Sequence, residues 1–346
     1  MAKVKQDDQV NQIVKDIKTR SFKPIYFFTG DEPYYIDKLS EFIENNVLNE
    51  SERDFNQVVL YGADTNVTEI LATAKRFPMM AEHQVVVVRE AQGISDFNTE
   101  SGRTALAAYA KNPQDSTILV FNYKYKKADG RKPFIKTVKK SGVFFESKKK
   151  YDNELPDWIA KVLRGKGYTI EQKATFMLVE FLGNDLSKIA GELEKLTTLL
   201  EKGTQISPQH IEENIGISKE FNNFELNSAL ANRDVLKANR IINYFAHNQK
   251  QHPVLGTIPS IFGYFSKVLI LHSLKDKSQP NVVAGQLGVH PFFVKEYFQA
   301  ANSYNLKKAV QIVSYLRDAD VKVKGVGANA IPPGEILKEL VFKILH

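Results

Sequence analysis

Ile25-Tyr26-Phe27-Phe28-Thr29-Gly30-Asp31-Glu32-Pro33-Tyr34-Tyr35-Ile36-Asp37-Lys38-Leu39 decides the fold. Ile25–Phe28 is a short apolar run and reads as a buried strand. Thr29 to Pro33 turns the chain, and Tyr34 to Leu39 opens an amphipathic helix. Strand, glycine turn and helix is where a nucleotide-binding fold carries G-x-x-x-x-G-K-[ST]. Here no second glycine, no Gly-Lys pair and no Ser or Thr follow at that spacing. Asp31 and Glu32 stand where backbone N–H groups would meet phosphate, and two carboxylates there repel it. The stretch predicts a nucleotide-binding type of fold without its nucleotide.

The pattern extends on both sides. Strands are expected at Ile25–Phe28, Asn56–Leu60, Gln84–Arg89, Thr117–Phe121 and Gly142–Glu146. They are short and rich in Val, Ile and Phe, as in a parallel sheet buried on both faces. Helices are expected between them at Tyr34–Val47, Val67–Phe77, Arg103–Lys111 and Pro133–Lys140. Alternation of this kind predicts an α/β layer fold. Ser147 to Pro156 is polar and ends in proline, which marks a boundary, and beyond Glu154 the chain reads as almost all helical. A small helical block runs to about Gly216, with Ser207-Pro208 a strong helix start. The polar stretch Ser218 to Asn223 then precedes a final block of seven helical patterns. No fixed-period repeat is visible, which favours a compact bundle over a solenoid.

The 346 residues call for two or three domains, and 43% hydrophobic with 25% charged residues is the balance of a globular protein. The absence of cysteine excludes disulfides, Cys-ligated zinc and thiol catalysis, and suits a cytoplasmic location. Met1 to Lys18 is polar and mixed in charge, unlike a signal peptide. The greasiest stretch, Pro253 to Leu274, is interrupted by Ser260, Ser266, Lys267 and His272, so it reads as a core helix rather than a membrane span. The net charge of +7 is local. Asn122 to Lys150 holds 11 Lys/Arg against 2 acids, and the remainder of the chain carries −2. Tyr123, Tyr125 and Phe134 interleave these bases, a composition that suits a polyanion or a solvated helix face.

Three further features bear on chemistry. The third strand has the apolar run of a Walker B motif, but Arg89 takes the place of the metal-binding Asp and would repel Mg²⁺. With the glycine loop also missing, neither ATP hydrolysis nor any nucleotide or metal cofactor is expected. Next, Phe77-Pro78-Met79-Met80 puts two methionines on a short connection; they either fold back into the core or serve a protein-binding surface, a use to which Met is suited. Finally, Val282 to Lys295 has helix-turn-helix spacing, which offers a DNA-binding regulator as the alternative function. Pro291-Phe292-Phe293 would place aromatics, not polar forks, at the start of the reading helix, and a helix corner packed in a bundle is the plainer reading. The histidines give no metal spacing, and no H-E-x-x-H or G-x-S-x-G occurs.

Taken together, these residues resemble the delta subunits of bacterial DNA polymerase III, the clamp-loader wrench. The resemblance rests on Tyr26–Tyr35 and on Phe77–Val88. It rests also on Gly183-Asn184-Asp185-Leu186 with Glu192 to Leu196, on Leu287 to Lys295, and on Leu316 to Lys324. It implies α/β plus all-α architecture. Residues 1–147 would be a degenerate AAA+ (P-loop-like) domain that binds the clamp and lacks Walker motifs, 148–216 a small helical lid, and 217–346 a helical collar for oligomerisation. It implies a non-catalytic subunit of the DNA-directed DNA polymerase holoenzyme, a nucleotidyltransferase. Its partners would be the sliding clamp (beta subunit), the other loader subunits (gamma/tau and delta prime) and primed DNA, with no membrane. The family's hydrophobic wedge falls at Met79 and Met80, flanked by Phe77 and Pro78. Lys136, Lys139 and Lys140 become candidates for DNA contact, with Arg317, Lys322 and Lys324 of the collar beside them.

Overall fold

The computed structural model describes residues 6–218, 220–325 and 331–346, so Lys219 within the polar stretch Ser218–Asn223 lies outside it. The chain divides into two compact units, Met1–Lys149 and Lys150–His346.

The first unit holds five parallel strands: β1 (Ile25–Gly30), β2 (Gln57–Tyr61), β3 (Gln84–Arg89), β4 (Thr117–Lys124) and β5 (Val143–Ser147). Their order is β2-β3-β4-β1-β5. Ile25 registers with Leu119 of β4, and Tyr26 with Val143 of β5. The helices are α1 (Gln6–Lys18), α2 (Pro33–Asn46), α3 (Glu50–Asn56), α4 (Val67–Ala74), α5 (Glu100–Lys111) and α6 (Pro133–Ser141). Every residue of β1 is buried, as expected of a strand covered on both faces. Phe27 looks to one side, where its ring lies within 6.2 Å (centroid to centroid) of Phe97, Phe121, Tyr123, Phe134 and Phe144. Phe28, one residue on, faces the other way and meets Phe145 edge-on.

The expected strands are all present, and the third is matched to the residue. Two helices are additions: α1, which buries only Ile13 and Ile17, and α3, which buries only Asn56. One expectation is corrected. The helix from Val67 stops at Ala74 rather than running to Phe77. The buried Gln84 side chain reaches back to it and donates to the Thr73 and Arg76 carbonyls and to Thr117 Oγ1. The last helical carbonyl, that of Ala74, accepts the Thr117 and Tyr109 hydroxyls, so the helix end is satisfied by side chains from elsewhere in the unit.

Among the described residues the second unit is helical apart from two paired two-residue strands, β6 (Thr169–Ile170) and β7 (Gln205–Ile206). Its helices are α7 (Leu155–Gly165), α8 (Gln172–Leu182), α9 (Leu186–Leu199), α10 (Pro208–Ile215), α11 (Asn223–Ala231), α12 (Val235–His247), α13 (Val254–Ser273), α14 (Pro280–Leu287), α15 (Val294–Ser303), α16 (Leu306–Val323) and α17 (Pro333–Leu345). Side chains of Asp185, Ser207, Asn222, Asp234 and Asn305 cap helix starts by accepting the N3 backbone N–H. One hydrophobic core runs from Leu226 to Leu345. α13 is long and apolar enough to cross a membrane by length and composition. It buries Ile258, Ile261, Phe265, Val268 and Leu271 in that core, as the reading of a core helix expects.

The glycine of the opening stretch has a structural duty. Gly30 has φ +134°, and a Cβ there would sit 1.9 Å from the Ser147 carbonyl oxygen. Both the backbone conformation and the space therefore require glycine. Gly30→Ala is expected to lower the unfolding free energy of the first unit by about 3 kcal/mol, read from the midpoint shift in urea denaturation.

Candidate functional site

The corner after β1 is closed by the protein's own groups. Gly30 N–H donates to the Lys126 carbonyl at 3.1 Å, and Glu32 N–H to the Ser147 carbonyl at 3.4 Å. Thr29 Oγ1 donates to the Lys126 carbonyl at 2.8 Å and accepts Ala128 N–H at 3.1 Å. Glu32 is buried, and its carboxylate accepts Tyr34 N–H at 3.0 Å as the N-cap of α2. A helix N-terminus offers orphan N–H groups and positive potential to an anion. Here that anion is the chain's own side chain, in the place a phosphate would need. Asp31 faces Lys127 at 3.5 Å.

The ends of the neighbouring strands are tied in the same way. Arg89 pairs with Glu44 of α2 at 2.9 Å. Burial works against the Arg89 charge, but Glu44 and Tyr61 outweigh it, and its pKa stands above the ordinary value. Lys124 is nearly buried between Asp37 at 2.7 Å and Glu90 at 2.9 Å. Burial would lower its pKa, yet the two carboxylates raise it on balance. Glu90 is correspondingly held below the usual carboxylate range, its burial outweighed by Lys124 and Gln92.

The other edge of the same unit is open. Phe77, Met79 and Met80 are 77%, 62% and 104% exposed, while Pro78 is half-buried. The alternative in which both methionines return to the core is not what the chain adopts. Full burial of such a side chain is worth roughly 1.5–3 kcal/mol, so the turn forgoes that stabilisation at three neighbouring positions. Met80 is also left-handed, with φ +52°, which costs a non-glycine residue about 1 kcal/mol. Phe55, at the end of α3, is 69% exposed. The buried Asn56 beside it binds the Met79 backbone, with Met79 N–H donating to Asn56 Oδ1 at 2.6 Å and Asn56 Nδ2 donating to the Met79 carbonyl at 2.9 Å. Sequence reasoning missed Phe55 and Asn56. An exposed Phe followed by Asn carries no local signal, because its partner lies 23 residues on. Behind Met80 lies a surface cavity of about 550 Å³, lined by Arg20, Val47, Leu48, Glu52 and the Met80–His83 segment.

The bases of the segment are not equivalent. Lys124, Lys127 and Arg131 are engaged by acids. Lys136, Lys139 and Lys140 are exposed on α6, and Lys139 Nζ lies 4.4 Å from the Phe144 ring centroid. The remaining basic candidates are paired: Arg317 with Asp318, Lys322 with Glu339 and Lys324 with Asp320, at 2.9, 3.3 and 2.7 Å. At the helix corner after α14, Phe293 packs on Phe176 of α8 with ring centroids 4.0 Å apart, and Phe292 stacks on the same ring at 5.7 Å. The residues that would start a DNA-reading helix are thus engaged with α8.

A parallel sheet of this order, a strand-turn-helix corner sealed by a carboxylate and a helical second unit define an α/β protein of the nucleotide-binding type without a phosphate loop. Two family models match the chain: DNA polymerase III, delta subunit, over residues 26–148, and DNA polymerase III delta subunit, C-terminal domain, over residues 220–332. Together they span more than half of it, and the chain belongs to the DNA polymerase III delta subunit family. It is similar to DNA polymerase III subunit delta of Bacillus subtilis (strain 168), with 26% identity over 320 residues, 91% of this chain and 92% of the relative. Among solved structures it is similar to the Bacillus subtilis DNA clamp loader delta protein. There the TM-score is 0.56 and the identity 23%, over 97% of this chain and 99% of that one, a likeness of fold. A shorter match is to the replication factor C large subunit of Methanococcus vannielii, 23% identical over 151 residues, 44% of this chain and 28% of that relative.

Proposed function

We propose that this chain contacts the ring-shaped sliding clamp through Phe77, Pro78, Met79 and Met80 and opens one interface of the ring for loading onto primed DNA. The observation that carries this reading is the exposed methionine turn, apolar side chains presented to solvent on a backbone fixed from behind. A few apolar anchors entering a pocket dominate interfaces of this kind. The chain acts by binding energy alone. Its turn prefers a clamp with one interface strained open, and docking shifts that population.

In this reading the chain hydrolyses no nucleotide and carries out no covalent step itself. It works in the cytoplasm, within the polymerase holoenzyme, with gamma/tau and delta prime subunits that control exposure of the turn. Residues 1–147 form the clamp-binding domain, 148–216 the lid and 217–346 the collar. Support comes from the family membership, from Glu32 at the N-terminus of α2 and from Arg89 at the end of β3. The exposed lysines of α6 are the first choice for phosphate contacts, ahead of Arg317, Lys322 and Lys324, whose charges are already paired.

Replacing Met79 and Met80 together by Ala is expected to weaken clamp binding by about 2–4 kcal/mol in calorimetry with the cognate clamp; unchanged affinity would remove the assignment. Titration of the chain with ATP and Mg²⁺ should give no binding heat, and a micromolar Kd would refute the nucleotide-free reading. For the reconstituted loader on primed DNA, Lys136→Ala/Lys139→Ala/Lys140→Ala should flatten the dependence of log K on log salt by up to about 0.9 for each phosphate no longer neutralised. A slope identical to wild type would exclude these lysines.

A further inference from the structure

The methionine turn is held from behind by a single side-chain amide. Asn56 is 2% exposed and ends α3. Its Oδ1 accepts the Met79 N–H, and its Nδ2 donates both to the Met79 carbonyl and to the Glu52 carbonyl of its own helix, the last at 3.0 Å. This reproduces with one side chain the two-way exchange of a hydrogen-bonded pair in an antiparallel ladder. Asparagine carries the donor and the acceptor side by side, which a carboxylate or a hydroxyl does not at neutral pH. A second fixed point lies upstream, where Gln84 takes the Arg76 carbonyl. With Met79 pinned on both its backbone groups, Met80 is kept in the left-handed conformation. That conformation is sparsely populated in a free loop.

From this geometry we infer that Asn56 is a positioning residue for the proposed clamp contact. It holds residues 77–80 in their docking conformation before the partner arrives. The inference rests on the reading of Phe77–Met80 as the clamp-binding turn. Fixing the backbone of one residue opposes binding by a factor of roughly five to thirty, and a turn already fixed avoids that factor on docking. Asn56 itself is buried beneath the turn, so its effect reaches the clamp through Met79 and Met80.

The test uses the full chain and the cognate sliding clamp. Asn56→Ala, and the isosteric Asn56→Asp as a second variant should the first fail to fold, are compared with Met79→Ala/Met80→Ala. Backbone hydrogen exchange is followed in the free chain. Either Asn56 substitution is expected to speed exchange at residues 77–82 with β1, β3 and β4 unchanged, and to weaken clamp binding about tenfold. Combined with Met79→Ala/Met80→Ala, it should add almost nothing, because the turn then has no anchors to present. Wild-type clamp affinity in Met79→Ala/Met80→Ala would defeat the underlying reading of the turn. Weakened binding there, with wild-type affinity or unchanged exchange in both Asn56 variants, would overturn the positioning role alone. An equal effect of Asn56 substitution with and without the methionines would also overturn it, since Asn56 would then act by another route.

Discussion

The backbone of Gly30 packs so closely on that of Ser147 that even a methyl group has no room between them, and much of the first unit follows from this approach. It brings the ends of β1 and β5 together and lets Glu32 N–H bond across to β5. It also sets Glu32 over the start of α2. A phosphate loop needs the opposite: a wide turn whose N–H groups point at empty space. Here the N–H groups are spent on carbonyls and on a carboxylate. The turn after β1 that would hold phosphate is closed by the chain's own groups, and the exposed apolar turn lies at the far end of the strands, just before β3.

Much of this was legible in the sequence because it is written locally. An apolar run of Val between two turns is a strand in any context, and Gln84–Arg89 was matched to the residue. Caps such as Ser207-Pro208 are satisfied within one helical turn, so a single stretch of sequence contains both partners. The features that escaped are those whose partners are distant. Nothing near Val67 announces that Gln84, Tyr109 and Thr117 will take the carbonyls where its helix stops at Ala74. Likewise nothing near Phe55 announces that the next residue will bind Met79. α1 did carry a local signal, since Val10, Ile13, Val14 and Ile17 stand at the i, i+3, i+4, i+7 spacing of a helix face, but its many polar residues drew attention to charge instead.

The basic excess shows the limit of composition. Charge counting treats the segment from Asn122 to Lys150 as one patch. The fold treats its bases differently: Lys124 braces the sheet ends between Asp37 and Glu90, while Lys136, Lys139 and Lys140 are turned outward on α6. Lys124 is held inside by carboxylates remote in sequence, whereas the α6 lysines stay exposed to a polyanion. The exposed methionines were legible as an anomaly and not as a site. Two apolar residues on a polar connection stand out in the sequence, but the side chain that binds the Met79 backbone, Asn56, lies 23 residues away.

The pairing of Arg89 with Glu44 makes this corner hard to re-equip. Glu44 is 7% exposed and also accepts Ser40 Oγ–H at 3.1 Å. Changing Arg89 to the aspartate a metal site requires would leave that carboxylate buried beside a second one, without its counter-charge. Removing Glu32 to admit a phosphate would uncap α2 before any phosphate could bind. Each single step toward a nucleotide site passes through a less stable protein, so the fold works as a one-way ratchet.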